Sequence, residues 1–285
     1  MTPSKLAKRT DVDRQVGILH DRYWTEALDT AYRKEIILVE GEDDRLAIDG
    51  ILSRRSTTWP TKINIIAAGS RENVLNDGRR RCEARGTRPH MVVDRDTWTE
   101  EEVQARRREY DLLYLTEGWC LENIFLDPGF LRSFDPSVAQ LVAGERERWV
   151  RAGALWWTLQ RTRESLQRWQ EHIGGSFGIP HDDLDFASAT EMASALRARI
   201  PEEIRGAVNL DIDAFAATYE RRLTDVLAWP EIRQWRSGVH GKHAFRRLLL
   251  PTLERLRGAG DWRPELARAV GRPPPFDALL AVLLP

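Results

Sequence analysis

Carboxylates supply the densest chemistry in this sequence. The run IILVEGEDD, Ile36 to Asp44, carries an apolar stretch up to Glu40, turns on Gly41 and meets Glu42, Asp43 and Asp44. Like charges held that close repel one another unless water or a cation intervenes. Two more acids, Asp94 and Asp96, stand in VVDRD, and Glu122 follows in CLENIF. A set made only of carboxylates selects hard cations, Mg2+ or Mn2+, rather than zinc. Glu40, Asp44, Asp94, Asp96 and Glu122 exceed what one Mg2+ usually recruits, so two ions would account for the excess. Paired ions clamp the attacking and leaving oxygens of a phosphoryl transfer. The competing reading makes each acid a cap for the helix that follows it. Glu42 and Asp43 are assigned to that role.

These side chains need elements to bring them together. EIILVE (35–40), INIIAAG (63–69), HMVVD (90–94) and LLYLT (112–116) are short runs dense in Ile, Leu and Val. Such density fits strands buried on both faces of a parallel sheet. Helix-like segments separate them, DRLAIDGILSRR, SRENVLNDGRRRCEAR and EEEVQARRREY, so the pattern is repeated βαβ. The predicted class is α/β, a mostly parallel, Rossmann-like sheet flanked by helices, with a large helical region behind it. In such sheets ligands bind beyond the carboxyl ends of the strands. Glu40 ends the first strand, Asp94 and Asp96 the third, and Glu122 lies just past the fourth. Asp44 starts the helix after the first strand. Asp94 and Asp96 are two apart, so an extended backbone sends both to one side.

The remainder reads as helical. Residues 1–31 carry loosely helical spacing through Val16, Ile18, Leu19, Tyr23 and Leu28. From Pro136 to Ile173 apolar residues, Trp149 and Trp156 among them, recur at helical period opposite an arginine-rich face. The tryptophans of this half are read as packing residues. GGSFGIPHDD is a linker. The expected divisions are 1–31, helical; 32–130, the sheet domain; 131–228, helical; and 229–285, a basic segment folding back on the site. Between Trp229 and Arg272 ten Lys/Arg face four Asp/Glu, a local charge of +6 in a chain of net −1. An acidic pocket with a basic rim suits a metal site acting on a polyanion. No apolar run approaches the ~18 residues of a membrane span. The N-terminus shows no signal-peptide core, and only Cys82 and Cys120 occur. The expected setting is a reducing cytoplasm, without a membrane partner.

VEGEDD at 39–44 followed by VVDRD at 92–96 resembles the Toprim domain, over about residues 34 to 128. The resemblance implies general acid/base chemistry and metal binding at Glu40, and Mg2+ binding at Asp94 and Asp96. The acid four positions after the glutamate, Asp44, and the later Glu122 are similar to the OLD-type Toprim nucleases. That family also draws in a lysine from the C-terminal part, matched here by Lys242 in HGKHAF. The whole order resembles the Toprim effector of the PARIS anti-phage system, which is paired with an ABC-type ATPase. GVHGKHAF is no P-loop, because His243 stands where Ser or Thr should bind magnesium.

The resemblance therefore implies a Mg2+- or Mn2+-dependent nuclease cutting DNA or RNA, tRNA included, as a toxic effector held by a partner ATPase. Lys242 would stabilise charge on the phosphate. Arg79, Arg80, Arg81, Arg236, Arg246 and Arg247 would track the nucleic-acid backbone. The apolar tail, FDALLAVLLP, packs on the domain or on a second copy in a homodimer. Two other readings are a DxD glycosyltransferase holding Mn2+, which leaves EGxxD unexplained, and a non-catalytic Toprim-like regulatory subunit.

Overall fold

The computed structural model describes residues 21–31, 33–173, 188–199, 202–207, 211–270 and 276–284. The first twenty residues and the GGSFGIPHDD stretch lie outside them. Four strands form one all-parallel sheet: β1 (Glu35–Val39), β2 (Ile63–Ala67), β3 (His90–Val93) and β4 (Leu113–Leu115), in the order β2-β1-β3-β4. All four expected strands are present, each end within two residues of the predicted one.

Period-two alternation splits the strands between two apolar layers. Ile37, Val39, Ile63, Ile65 and Val92 face one layer, with the Glu42–Arg55 helix and the C-terminal helices. Ile36, Leu38, Ile66, Met91, Val93 and Leu115 face the other, with Trp24 and Leu28 of the helix over 21–30, Val74, Leu75 and Val103. Both faces are covered, as a parallel sheet requires.

The first layer is continuous. It runs from Ile37 through Val138, Val150 and Leu155 to Tyr219, Trp235, Leu249, Leu266 and Leu283. Sheet, middle helices and basic segment therefore share one core among the described residues. The Pro136–Gly144 and Arg146–Ile173 helices divide the single helical pattern of the sequence at Glu145. Trp262–Val270 packs along Glu42–Arg55. The apolar tail forms the Asp277–Leu283 helix and buries Phe276, Leu279, Leu280 and Leu283 in the chain's own core. No described helix is long and apolar enough to cross a membrane.

Candidate active site at the carboxyl edge of the sheet

β1 and β3 are neighbours, so their carboxyl ends bring Glu40 and Asp94 together. Glu40 Oε1 accepts the Asp94 backbone N–H at 2.9 Å. Asp94 is almost wholly buried. Its Oδ1 accepts the Leu121 N–H at 3.0 Å, and its Oδ2 accepts from Lys242 Nζ at 2.6 Å. Lys242 comes from 148 positions along the chain. The C-terminal segment thus reaches the strand ends with its lysine.

Burial drives the electrostatics here. It lifts the Glu40 carboxyl to about 7, against the Asp94 N–H, with the Asp96 charge adding to the rise. Burial also raises Asp94 well above the usual carboxylate range, opposed by Lys242 and reinforced by Asp44, Glu40 and Glu122. Asp44 is raised by burial too, with Lys242 opposing and Glu122 adding. Burial alone would discharge Lys242, but Asp94 and Glu122 outweigh it and hold the ammonium above its ordinary range.

The local geometry that places Lys242 depends on Asn123 and Gly241. Asn123 Nδ2 donates to the carbonyls of Trp235 (2.8 Å) and Val239 (2.9 Å), and its Oδ1 accepts the Cys120 N–H. It clasps the 234–240 segment to the turn after β4. A Cβ on Gly241 would lie 2.5 Å from Asn123 Oδ1 and 2.6 Å from Cys120 Sγ. Only glycine lets the short Gly241–Ala244 helix sit that close. Wider π-helical turns, Gln234–Gly238 and Phe245–Leu249, flank it on both sides. His240 precedes it, its ring edge-on to Trp119 (5.1 Å) and Trp156 (4.8 Å). Burial keeps that imidazole neutral well below its usual pKa, helped by His243 and Lys242. HxxH is therefore packing and capping, as a core histidine pair would be.

Several expected site residues are placed differently. Asp96 lies beyond the end of β3 with φ +50°, so loop backbone rather than strand alternation sets its direction, and its charge still acts on Glu40. Its Oδ2 accepts from Arg71 at 2.7 Å, while Asp94 pairs with Lys242. Asp44 takes the capping role itself: Oδ2 accepts the Gly41 N–H at 2.9 Å, and Oδ1 is buried without a partner. Glu42 pairs with Arg45, as a helix-start acid does. Asp43 meets Arg246 and Arg263, both at 3.2 Å, rather than open solvent. Glu122, fully buried, accepts from Arg263 at 2.9 Å, and its second oxygen has no partner.

The expected backbone-tracking arginines are mostly engaged in the fold. Arg79 pairs with Glu83, and Arg81 with Asp21 and Asp77. With Arg80, they lie eight to ten residues beyond Arg71 in the chain. Arg236 bridges Glu117 and Asp127, and Arg246 meets Asp43. Arg247 lines a surface cavity. Arg71, Arg263, Asn123 and Gly241 were not singled out from sequence. Each carries a common residue type whose partner lies far off in the chain, and only GK at 241–242 gave a signal.

The donor set can be weighed against a divalent cation. Among the described residues no three Asp, Glu, His or Cys side chains are gathered closely enough to hold one as they stand. Lys242, Arg71 and Arg263 supply the countercharge instead. Yet the chemistry of the donors is wholly hard oxygen, and Asp44 Oδ1 and Glu122 Oε2 are buried carboxylate oxygens without partners. Unpaired buried charge of that kind is costly. The donors fit such an ion in kind, and Glu40, Asp44, Asp94, Asp96 and Glu122 could hold it once their basic partners yield. Comparison with protein-family models, with curated proteins and with solved structures returned no match.

Proposed function

We propose that the chain is a Mg2+- or Mn2+-dependent nuclease with a Toprim-type site, hydrolysing phosphodiesters of DNA or RNA. One observation carries this reading: a distant lysine meets a buried aspartate at the end of a central parallel strand, beside a glutamate whose carboxyl is lifted to about 7. A group titrating there is suited to holding or taking a proton at neutral pH. Glu40 would take the proton of the attacking water. Lys242, released from Asp94 toward a phosphate, would carry positive charge to the developing oxyanion. The Leu121 N–H orients Asp94. A bound divalent ion would supply Lewis-acid stabilisation of the phosphoryl oxygens. The wider reading is an effector of anti-phage defence, working in the cytoplasm and restrained by an ABC-type ATPase subunit.

A second reading is a non-catalytic regulatory subunit. The pairing of Asp94, Asp96 and Glu122 with basic side chains favours it. One assay separates the two. The full chain, alone and with any ABC-type ATPase that a neighbouring reading frame encodes, is incubated with Mg2+ or Mn2+ and with DNA or total RNA. The nuclease reading predicts strand breakage that disappears in both Glu40→Ala and Asp94→Ala. Intact polymers under every condition would overturn the nuclease reading.

A further inference from the structure

Beside the Gly241–Ala244 helix lies a cavity of about 450 Å3, between the Pro136–Gly144 and Arg146–Ile173 helices and the segment that follows Lys242. That volume falls within the range of small-ligand sites. Its walls combine two chemistries. Half-buried Trp149, with Leu248 and Pro251, gives an aromatic and apolar surface, while Arg148, Arg247 and Arg255 stand around it. Three arginines and one acid, Glu145, stand on the lining. Arg148 leans on Glu145 at 3.5 Å, and Arg255 is exposed.

We infer that this cavity takes one unpaired nucleotide of a single-stranded polynucleotide, its base on Trp149 and its phosphate on the arginines. The inference rests on the nuclease reading and names the form of substrate it would cut. An aromatic ring beside guanidinium groups is the arrangement that binds single strands, because each base has a face to stack and each linkage a charge to neutralise. A duplex hides those base faces and needs only a charged strip. The position supports the same substrate. His243 lines the cavity, and its neighbour Lys242 touches Asp94. Consecutive residues of a helix point about 100° apart. One short helix therefore presents its lysine to the carboxylates and its histidine to the cavity. A strand with one phosphate at Lys242 can lay a neighbouring nucleotide against Trp149.

The test is binding of fluorescein-labelled oligouridylate and oligothymidylate, and of duplexes of the same length, followed by anisotropy in EDTA with the full chain. The expected result is preference for the single strands and a loss of about tenfold in Trp149→Ala, largely restored in Trp149→Phe. Arg255→Ala should lower the slope of log affinity against log salt by roughly 0.7. Should Trp149→Ala fail to fold, Arg255→Ala and Arg247→Ala, both at exposed positions, carry the test. Equal affinity of these variants and wild type for oligonucleotide, or equal affinity of wild type for duplex and single strand, would overturn the inference. EDTA keeps the outcome separate from catalysis. Single-strand binding through Trp149 without any cleavage in Mg2+ would fail the nuclease reading alone; cleavage with unaltered binding by the variants would fail the cavity alone.

Discussion

At the scale of single residues, Glu40 and Asp94 were legible because strand ends in a parallel sheet have a fixed meaning. Asp96 sits beyond the strand's end at positive φ, so alternation does not set its direction, yet its charge acts on Glu40. Asp44 was legible as an acid facing inward, but its capping bond could not be told from metal ligation by spacing alone, since a capping acid and a ligand stand at the same offset. His240 shows how burial turns into a measurable pH dependence. Below about pH 6.5 the unfolded chain gains a proton on this imidazole that the folded chain refuses. Its folded pKa is depressed, so its contribution to stability is present above that pH and is lost as pH falls. Trp119, Trp156, His243 and Lys242 surround it, and none offers a negative charge. The unfolding free energy of wild type, read from melting curves at each pH, should fall more steeply between pH 6.5 and 5 than that of His240→Gln, by at most about 1.4 kcal/mol per pH unit. Parallel melting curves would show that the ring does not resist protonation.

At the scale of elements, the strands and the helices between them were readable because period and composition agree. The placement of the Lys242 helix was not readable, because it depends on contacts with Cys120 and Asn123 more than a hundred positions away. A methyl group at Gly241 has no room there. Gly241→Ala should push the short helix outward, cost about 1–3 kcal/mol in urea unfolding and separate Lys242 from Asp94. The separation would be read by lysine-selective NMR as a change in the Nζ signal. A variant with wild-type stability and an unchanged Lys242 signal would show that the close seat does not position this lysine.

At the scale of the whole molecule, the sequence pattern led to an α/β class with helices behind the sheet, and the parallel four-stranded sheet agrees. The pattern also divided the chain into segments, whereas one apolar layer runs through sheet, middle helices and tail. Hydrophobic periodicity marks which face of an element is buried but not which neighbour buries it. Arg263 and Glu122 hold the C-terminal helices to the sheet domain as a buried ion pair. Removing one partner should cost far more than removing both. Arg263→Ala, which strands a fully buried carboxylate, should lose about 3–5 kcal/mol, and Arg263→Met with Glu122→Met should recover most of it. Additive losses in chemical denaturation would show that the two side chains are not coupled.

The same molecule-wide arrangement, a basic segment folded onto the acidic ends of β1 and β3, underlies the proposal that these carboxylates would exchange Lys242 and Arg71 for a divalent cation. Electron paramagnetic resonance of Mn2+ titrated with the full chain tests this most directly, since bound ions lose the sharp signal of free ones. The account predicts saturable binding by wild type, competed by Mg2+ and abolished in Asp94→Asn combined with Glu40→Gln. A free-ion signal that wild type leaves unchanged, or binding that survives in the double variant, would contradict it.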